Sequence, residues 1–101
     1  MDINPLFRAD LNHLRETFGG PLEIFSGARC PKRNRIVGGA SRSLHLEGLA
    51  ADIAWPKLHS DRLWLIHFAS QQFTGLGFYP GFLHVDRRDR DGRDPSVWVQ
   101  E

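Results

Sequence analysis

The sequence has few of the features that mark a disulfide-bonded, exported or membrane-spanning protein. It contains one cysteine, Cys30, so an internal disulfide bond is excluded. No apolar run is long enough to cross a bilayer. Residues 1–5 lack the basic segment that precedes the apolar run of a secretory signal. We therefore expect a protein that is cytoplasmic as synthesised, with no signal peptide.

An excess of charge of either sign is also missing. Thirteen Lys and Arg residues against 12 Asp and Glu give a formal net charge of +1, which provides no general attraction to nucleic acid. A hydrophobic content of 41% and a charged content of 25% are typical of a globular protein. Because the chain has 101 residues and no internal repeat or linker, we expect a single domain over residues 1–101.

Apolar periodicity predicts two helices separated and followed by short strands. Asn4 and Pro5 are typical of a helix start, and apolar residues recur at helical spacing up to Gly19. A second helix is predicted over residues 61–73, with Ser60 as its cap. Shorter apolar runs predict strands at 22–25, 49–53, 76–79, 82–86 and 96–100. This order predicts an α+β fold, in which a small antiparallel sheet has flanking helices.

The stretch Ser43–Asp52 carries two good zinc ligands, His45 and Asp52, on either side of Gly48. On a straight helix the two residues would lie about 10 Å apart along the axis. That separation is too large for bonds of about 2.0–2.2 Å to one ion. Gly48 permits a turn, which would leave His45 on a loop and Asp52 on a strand. Ala50 would then share a strand face with Asp52 and leave room beside it.

A third ligand is predicted on the strand at 82–86, whose residues alternate in polarity. If this strand pairs antiparallel with residues 49–53, His84 meets Asp52 across the sheet. Two histidines and one aspartate leave one coordination position open, which is typical of a catalytic zinc site rather than a structural one. We therefore predict one zinc ion bound by His45, Asp52 and His84.

Three separated segments together resemble the zinc D-alanyl-D-alanine carboxypeptidases, a family that includes the L-alanyl-D-glutamate endopeptidases of phage lysis enzymes. The family motif S-x-H-x-x-G-x-A-x-D is matched at every fixed position, by Ser43, His45, Gly48, Ala50 and Asp52. The family's upstream S-G-x-R…N…V-G-G segment is similar to Ser26–Arg29 with Asn34 and Val37–Gly39. Its closing strands are similar to Gly75–Tyr79 and Phe82–Asp86. The resemblance spans roughly residues 22–87 and implies the Hedgehog/DD-peptidase fold.

This resemblance implies a zinc peptidase that hydrolyses amide bonds of peptidoglycan stem peptides. The implied type is either a D-Ala–D-Ala carboxypeptidase or an L-Ala–D-Glu endopeptidase. We expect a monomer whose partner is a peptidoglycan peptide, with no nucleic acid and no membrane bound. It would act on the cell wall after its release, as a phage or prophage lysis enzyme does. The alternative is a zinc-containing binding or structural module of the same fold without turnover.

The resemblance also implies roles for several residues. Arg29 matches the family's arginine and is expected to bind the substrate's carboxylate or to stabilise the developing oxyanion. Many members place an acidic general base three residues before the second histidine, but this position is Gly81 here. Asp86 is the predicted substitute, and the alternative for it is to orient a zinc ligand. Ser43 and Tyr79 complete the predicted substrate-binding set, with Tyr79 either donating to the oxyanion or packed.

Overall fold

The computed structural model describes residues 4–26 and 48–100, which form two α-helices, one 3-10 helix and one five-stranded sheet. The helices are α1, Pro5–Phe18, and α2, His59–Gln72. The strands are β1, Ile24–Ser26; β2, Ala50–Ala54; β3, Gly75–Phe78; β4, Phe82–Asp86; and β5, Ser96–Val99. The 3-10 helix, Arg88–Asp91, lies between β4 and β5 in sequence. Neither α-helix of this part of the chain is long and apolar enough to cross a membrane.

The strands are arranged in the order β1-β2-β4-β3-β5. The first four pair antiparallel with one another, so the predicted α+β class is confirmed, and so is antiparallel pairing for these four strands. The fifth strand differs, because β5 pairs parallel with β3 at the sheet edge. A parallel neighbour cannot be reached by a tight hairpin, so residues 87–95 pass across the start of β3 before β5 begins.

The first helix forms for the reasons that the sequence indicates. The Asn4 side chain accepts hydrogen bonds from the backbone amides of Leu6 at 2.9 Å and Phe7 at 3.3 Å, which satisfies two unpaired donors of the first turn. Pro5 occupies the first turn, where a missing amide proton costs nothing. Gly19, with φ of 78°, ends the helix in the left-handed conformation.

The second helix departs from its prediction in two ways. It begins at His59, after Leu58, with no side-chain cap, so the cap predicted at Ser60 is wrong. Its apolar residues do not form one buried stripe, since Leu63 and Trp64 are 68% and 55% exposed. Apolar and polar residues are spread around the whole helix. Only a narrow side of it, with the buried Leu65 and Ala69, contacts the core.

The core lies between the two helices and one face of the sheet. Phe7, on α1, contacts Phe73 edge-on, with ring centroids 5.7 Å apart. The core also includes buried apolar side chains from both helices and from the central strands, namely Leu11, Leu14, Ala51, Ile53, Leu65, Ala69, Leu76, Leu83 and Val85. On β2 and β4 these residues alternate with Asp52, His84 and Asp86, which therefore lie on the opposite face.

Two glycines on β3 make room on that opposite face. A Cβ atom at Gly77 would lie 2.6 Å from Cε2 of Trp98, and a Cβ atom at Gly75 would overlap the carboxylate of Asp86. Any larger residue at either position would thus displace a side chain that packs directly on the β3 backbone. The small residues of β3 set how closely the functional side chains approach the sheet.

We expect Gly77→Ala to destabilise the protein by about 1–3 kcal/mol, because the added methyl group would press against the Trp98 ring. Gly81→Ala is the matched control, since a Cβ atom at Gly81 meets nothing within 4 Å. That variant should change the free energy of unfolding by no more than about 0.5 kcal/mol. Urea denaturation measures both. Equal stability of the two variants would show that Trp98 does not pack on β3.

Candidate metal centre

The centre of the site is a carboxylate and an imidazole on neighbouring strands. Asp52 of β2 pairs with His84 of β4 in the antiparallel register, which confirms the pairing predicted from the alternation of the two strands. Asp52 Oδ1 lies 3.3 Å from His84 Nδ1. Asp52 is 2% exposed and His84 is 7% exposed, so water screens this pair little.

The second nitrogen of His84 also faces a carboxylate. His84 Nε2 lies 2.7 Å from Asp86 Oδ2, a distance typical of a charge-assisted hydrogen bond. Because the pKa of Asp86 is lowered, its carboxylate is ionised and the imidazole donates. A neutral imidazole that donates from Nε2 has a lone pair at Nδ1, directed at the Asp52 carboxylate. A second imidazole proton or a metal ion between these two atoms would make their contact at 3.3 Å favourable.

The pKa of His84 follows from the same arrangement. Burial alone would lower the pKa of its imidazole, because it disfavours the charged form. Hydrogen bonds to Asp52 and Asp86 outweigh burial and raise the pKa above its ordinary value. The two carboxylates therefore favour the protonated form of the imidazole.

The donor pair fits zinc. Two ligands of a tetrahedral zinc ion, each about 2.0–2.2 Å from the metal, lie roughly 3.3–3.6 Å apart. The separation of Asp52 Oδ1 and His84 Nδ1 is 3.3 Å, and imidazole and carboxylate are both zinc ligands. Among residues 4–26 and 48–100, no three His, Cys, Asp or Glu side chains form a metal-binding group. Asp52 and His84 therefore stay predicted ligands, and the third predicted ligand, His45, lies outside the described residues.

Asp86 is held on the far side of His84 from Asp52. It is fully buried, and Arg88 contacts both of its oxygens. The backbone amide and Nε of Arg88 donate to Oδ1, each at 3.0 Å, and Nη2 donates to Oδ2 at 2.9 Å. Burial alone would raise the pKa of Asp86, but the hydrogen bonds from His84 and Arg88 lower it. The carboxylate is therefore ionised, and both of its oxygens already accept hydrogen bonds.

A known protein family matches most of the chain. The profile of a protein family described as Peptidase M15 matches residues 3–86, more than four fifths of the chain. The chain belongs to the peptidase M15 family. No curated protein sequence matches the chain. Membership supports a metallopeptidase, and zinc is the metal that M15 peptidases generally use. The matched range contains Asp52, His84 and Asp86, and it ends where the segment with Arg88 begins.

The other predicted residues of this M15 peptidase divide into two groups. Tyr79 is described: its ring stacks on Phe82 with centroids 4.5 Å apart, and its hydroxyl accepts a hydrogen bond from Trp98 Nε1 at 3.1 Å. A packed tyrosine fits these contacts. Arg29, Ser43 and His45 lie outside the described residues, so their predicted roles stay predictions.

Two residues of the site were missed in the sequence. The run at 87–95 has the alternating charge of a solvated hairpin loop, yet Arg88 within it binds the buried Asp86. Trp98 lies beside His84, with ring centroids 5.1 Å apart. The signals that point to them are weak: Arg88 follows Asp86 by two residues, and Trp98 alternates with the exposed Val97 and Val99 on β5.

We expect Asp52→Asn to weaken zinc binding, because a neutral amide oxygen is a much poorer zinc ligand than a carboxylate. Removal of a residue that only hydrogen-bonds to a metal ligand lowers metal affinity by roughly 10–100-fold. The loss of zinc affinity in Asp52→Asn should be at least as large. Competition with a chromophoric chelator measures the affinity. Asp94→Asn, at an exposed carboxylate, is the control and should bind zinc as the unmodified protein does. Unchanged affinity in Asp52→Asn would remove Asp52 from the ligand set.

Proposed function

We propose that this M15 peptidase is a single-domain, zinc-dependent enzyme that hydrolyses amide bonds of peptidoglycan stem peptides. The bond is that of a D-Ala–D-Ala carboxypeptidase or an L-Ala–D-Glu endopeptidase. The observation that carries the proposal is the buried Asp52–His84 pair, whose spacing suits two ligands of one zinc ion. We propose His45 as the third protein ligand, because it completes the motif that ends at Asp52.

The residues around this pair would divide the work of amide hydrolysis. When bound, zinc would polarise the scissile carbonyl and lower the pKa of a water molecule. His84 would present Nδ1 to the ion while Asp86 holds its Nε2 proton, which fixes the ring and makes it a better ligand. Arg29 would bind the substrate's carboxylate or stabilise the developing oxyanion, and Ser43 would contact the substrate. Tyr79, the other residue of the predicted substrate-binding set, would pack on Phe82 and accept from Trp98.

Two roles were predicted for Asp86, and its surroundings support the positioning role. A general base needs an oxygen that can take a proton from water within hydrogen-bond reach. The oxygens of Asp86 already accept from His84 and Arg88, and the side chain is fully buried. A lowered pKa also makes this carboxylate a weak base. We therefore propose that Asp86 orients His84.

Asp86→Asn separates the two roles. If Asp86 positions His84, we expect zinc affinity to fall about 10–100-fold and activity to recover at higher zinc concentration. If Asp86 is the base, zinc affinity should stay the same, and added zinc should not restore the lost turnover. The measurements are a chelator competition and the rate of peptide hydrolysis at increasing zinc concentration. Retained affinity with lost turnover would contradict the positioning role.

A zinc-containing module without turnover is the second candidate, and Gly81 favours it. The position where many related peptidases have an acidic base lies in the exposed turn between β3 and β4 and has no side chain. A binding module would keep the ion and its ligands without needing a base.

Incubation with purified peptidoglycan distinguishes the candidates. We expect the zinc-loaded protein to release new amino groups or free D-alanine, and a chelator to abolish the release. Free D-alanine in an amount equal to the new amino groups indicates the carboxypeptidase, and new amino groups without D-alanine indicate the endopeptidase. His84→Gln serves as the inactive control. Zinc-loaded protein that binds the polymer and releases neither product would favour the module.

A further inference from the structure

The segment that follows the family match reaches back into the site. Arg88 opens the 3-10 helix directly after β4, and its guanidinium is turned towards Asp86. Nε and Nη2 contact the two oxygens of this carboxylate in a bidentate pair, the geometry that gives an arginine–carboxylate contact its directional strength. The carboxylate of Asp86 cannot rotate without breaking one of these hydrogen bonds.

Trp98 reaches the same site from β5. It pairs with Gly77 of β3 in the parallel register, and its indole lies over this glycine. The ring packs at 49° to the imidazole of His84, with centroids 5.1 Å apart. The Arg88 guanidinium lies 4.8 Å from the centroid of the indole, within cation–π range. Trp98 therefore contacts both the imidazole and the arginine that holds its carboxylate partner.

The indole has little freedom to move. Its Nε1 donates to the Tyr79 hydroxyl at 3.1 Å, which fixes one edge of the ring. The Tyr79 ring is in turn stacked on Phe82, with centroids 4.5 Å apart. The indole packs directly on the backbone of Gly77, where even a Cβ atom would lie only 2.6 Å from Cε2 of the ring. These contacts keep the face of the indole against His84.

We propose that Arg88 and Trp98 are positioning residues that together fix the imidazole of His84, with Nε2 towards Asp86 and Nδ1 towards Asp52. Arg88 fixes the carboxylate that receives the Nε2 proton, and Trp98 fixes the tilt of the imidazole ring. In the zinc enzyme this would keep the Nδ1 lone pair on the ion, a step that rests on the proposed function. The fixed orientation itself is a property of the metal-free protein.

The first test uses the metal-free full chain with 15N-labelled histidine. A buried imidazole proton that is hydrogen-bonded exchanges slowly with water, so the His84 Nε2–H signal should be visible by NMR. The signal is assigned by its loss in His84→Gln. We expect it to broaden or vanish in Arg88→Ala and Trp98→Ala and to persist in Arg88→Lys, which keeps a charged donor near Asp86. Circular dichroism checks that each variant is folded.

Arg90→Ala is the matched control. Arg90 lies in the same 3-10 helix, but its guanidinium binds Asp10 at 2.8 Å instead of Asp86. It should leave the His84 signal unchanged. Trp98→Phe serves if Trp98→Ala fails to fold, because it keeps an aromatic ring but removes the pyrrole part of the indole and its hydrogen bond to Tyr79. This variant too should broaden the His84 signal. A signal of unmodified width in folded Arg88→Ala and in a folded Trp98 variant would overturn the proposal, as would its absence from the unmodified protein.

The second test adds metal. Cobalt(II) in place of zinc gives a visible spectrum that reports ligand geometry, and we expect Arg88→Ala and Trp98→Ala to shift it. Zinc affinity should fall by about 10–100-fold, the usual effect of removing a partner behind a ligand. An unchanged cobalt spectrum and affinity would overturn the positioning role while leaving the peptidase proposal intact. Conversely, the expected NMR signals, cobalt spectra and zinc affinities together with no peptidoglycan hydrolysis would overturn only the peptidase proposal.

Discussion

The arrangement of the site depends on one buried imidazole that has a carboxylate at each of its two nitrogens. His84 lies 2.7 Å from Asp86 and 3.3 Å from Asp52, and all three side chains are almost completely removed from water. Buried carboxylates are costly unless a positive charge or donors balance them. Arg88 supplies that balance for Asp86. At Asp52, a protonated imidazole of His84 would contribute to that balance, and so would a metal ion.

The fold separates these charged side chains from the apolar core by placing the two groups on opposite faces of the sheet. The helices cover one face of the sheet, and the site occupies the other face of the same two strands, β2 and β4. The neighbouring strand β3 contributes glycines where side chains from β4 and β5 must lie close to the backbone. The family match ends at the last residue of β4, yet the site continues into the segment beyond it through Arg88 and Trp98.

Much of this arrangement could be predicted from the sequence, because it depends on local patterns. Alternation at 82–86 and a glycine turn before Asp52 were enough to predict that Asp52 and His84 pair, and both the strand pairing and the positive φ of Gly48 are observed. The cap of α1 was equally readable from Asn4 and Pro5.

The features that were not predicted depend on contacts between distant segments. Nothing local shows that β5 runs parallel to β3, or that a charged run delivers Arg88 to a buried carboxylate. The start of α2 was misplaced because Ser60 has the chemistry of a cap, whereas the helix begins at His59, two residues before the predicted start. The roles predicted for Arg29, Ser43 and His45 depend on a segment outside the described residues and stay predictions.

The alternation along β4 has a consequence for how faithfully the strands must align. If β4 slipped by one residue against β2, His84 and Asp86 would turn towards the helices, and Leu83 and Val85 would face Asp52. Such a slip would bury two ionisable side chains in the apolar core. It would also place two aliphatic side chains on the face of the sheet that carries Asp52. The apolar core under the sheet thus selects the register that places Asp52, His84 and Asp86 together on the opposite face, because only one register satisfies both faces.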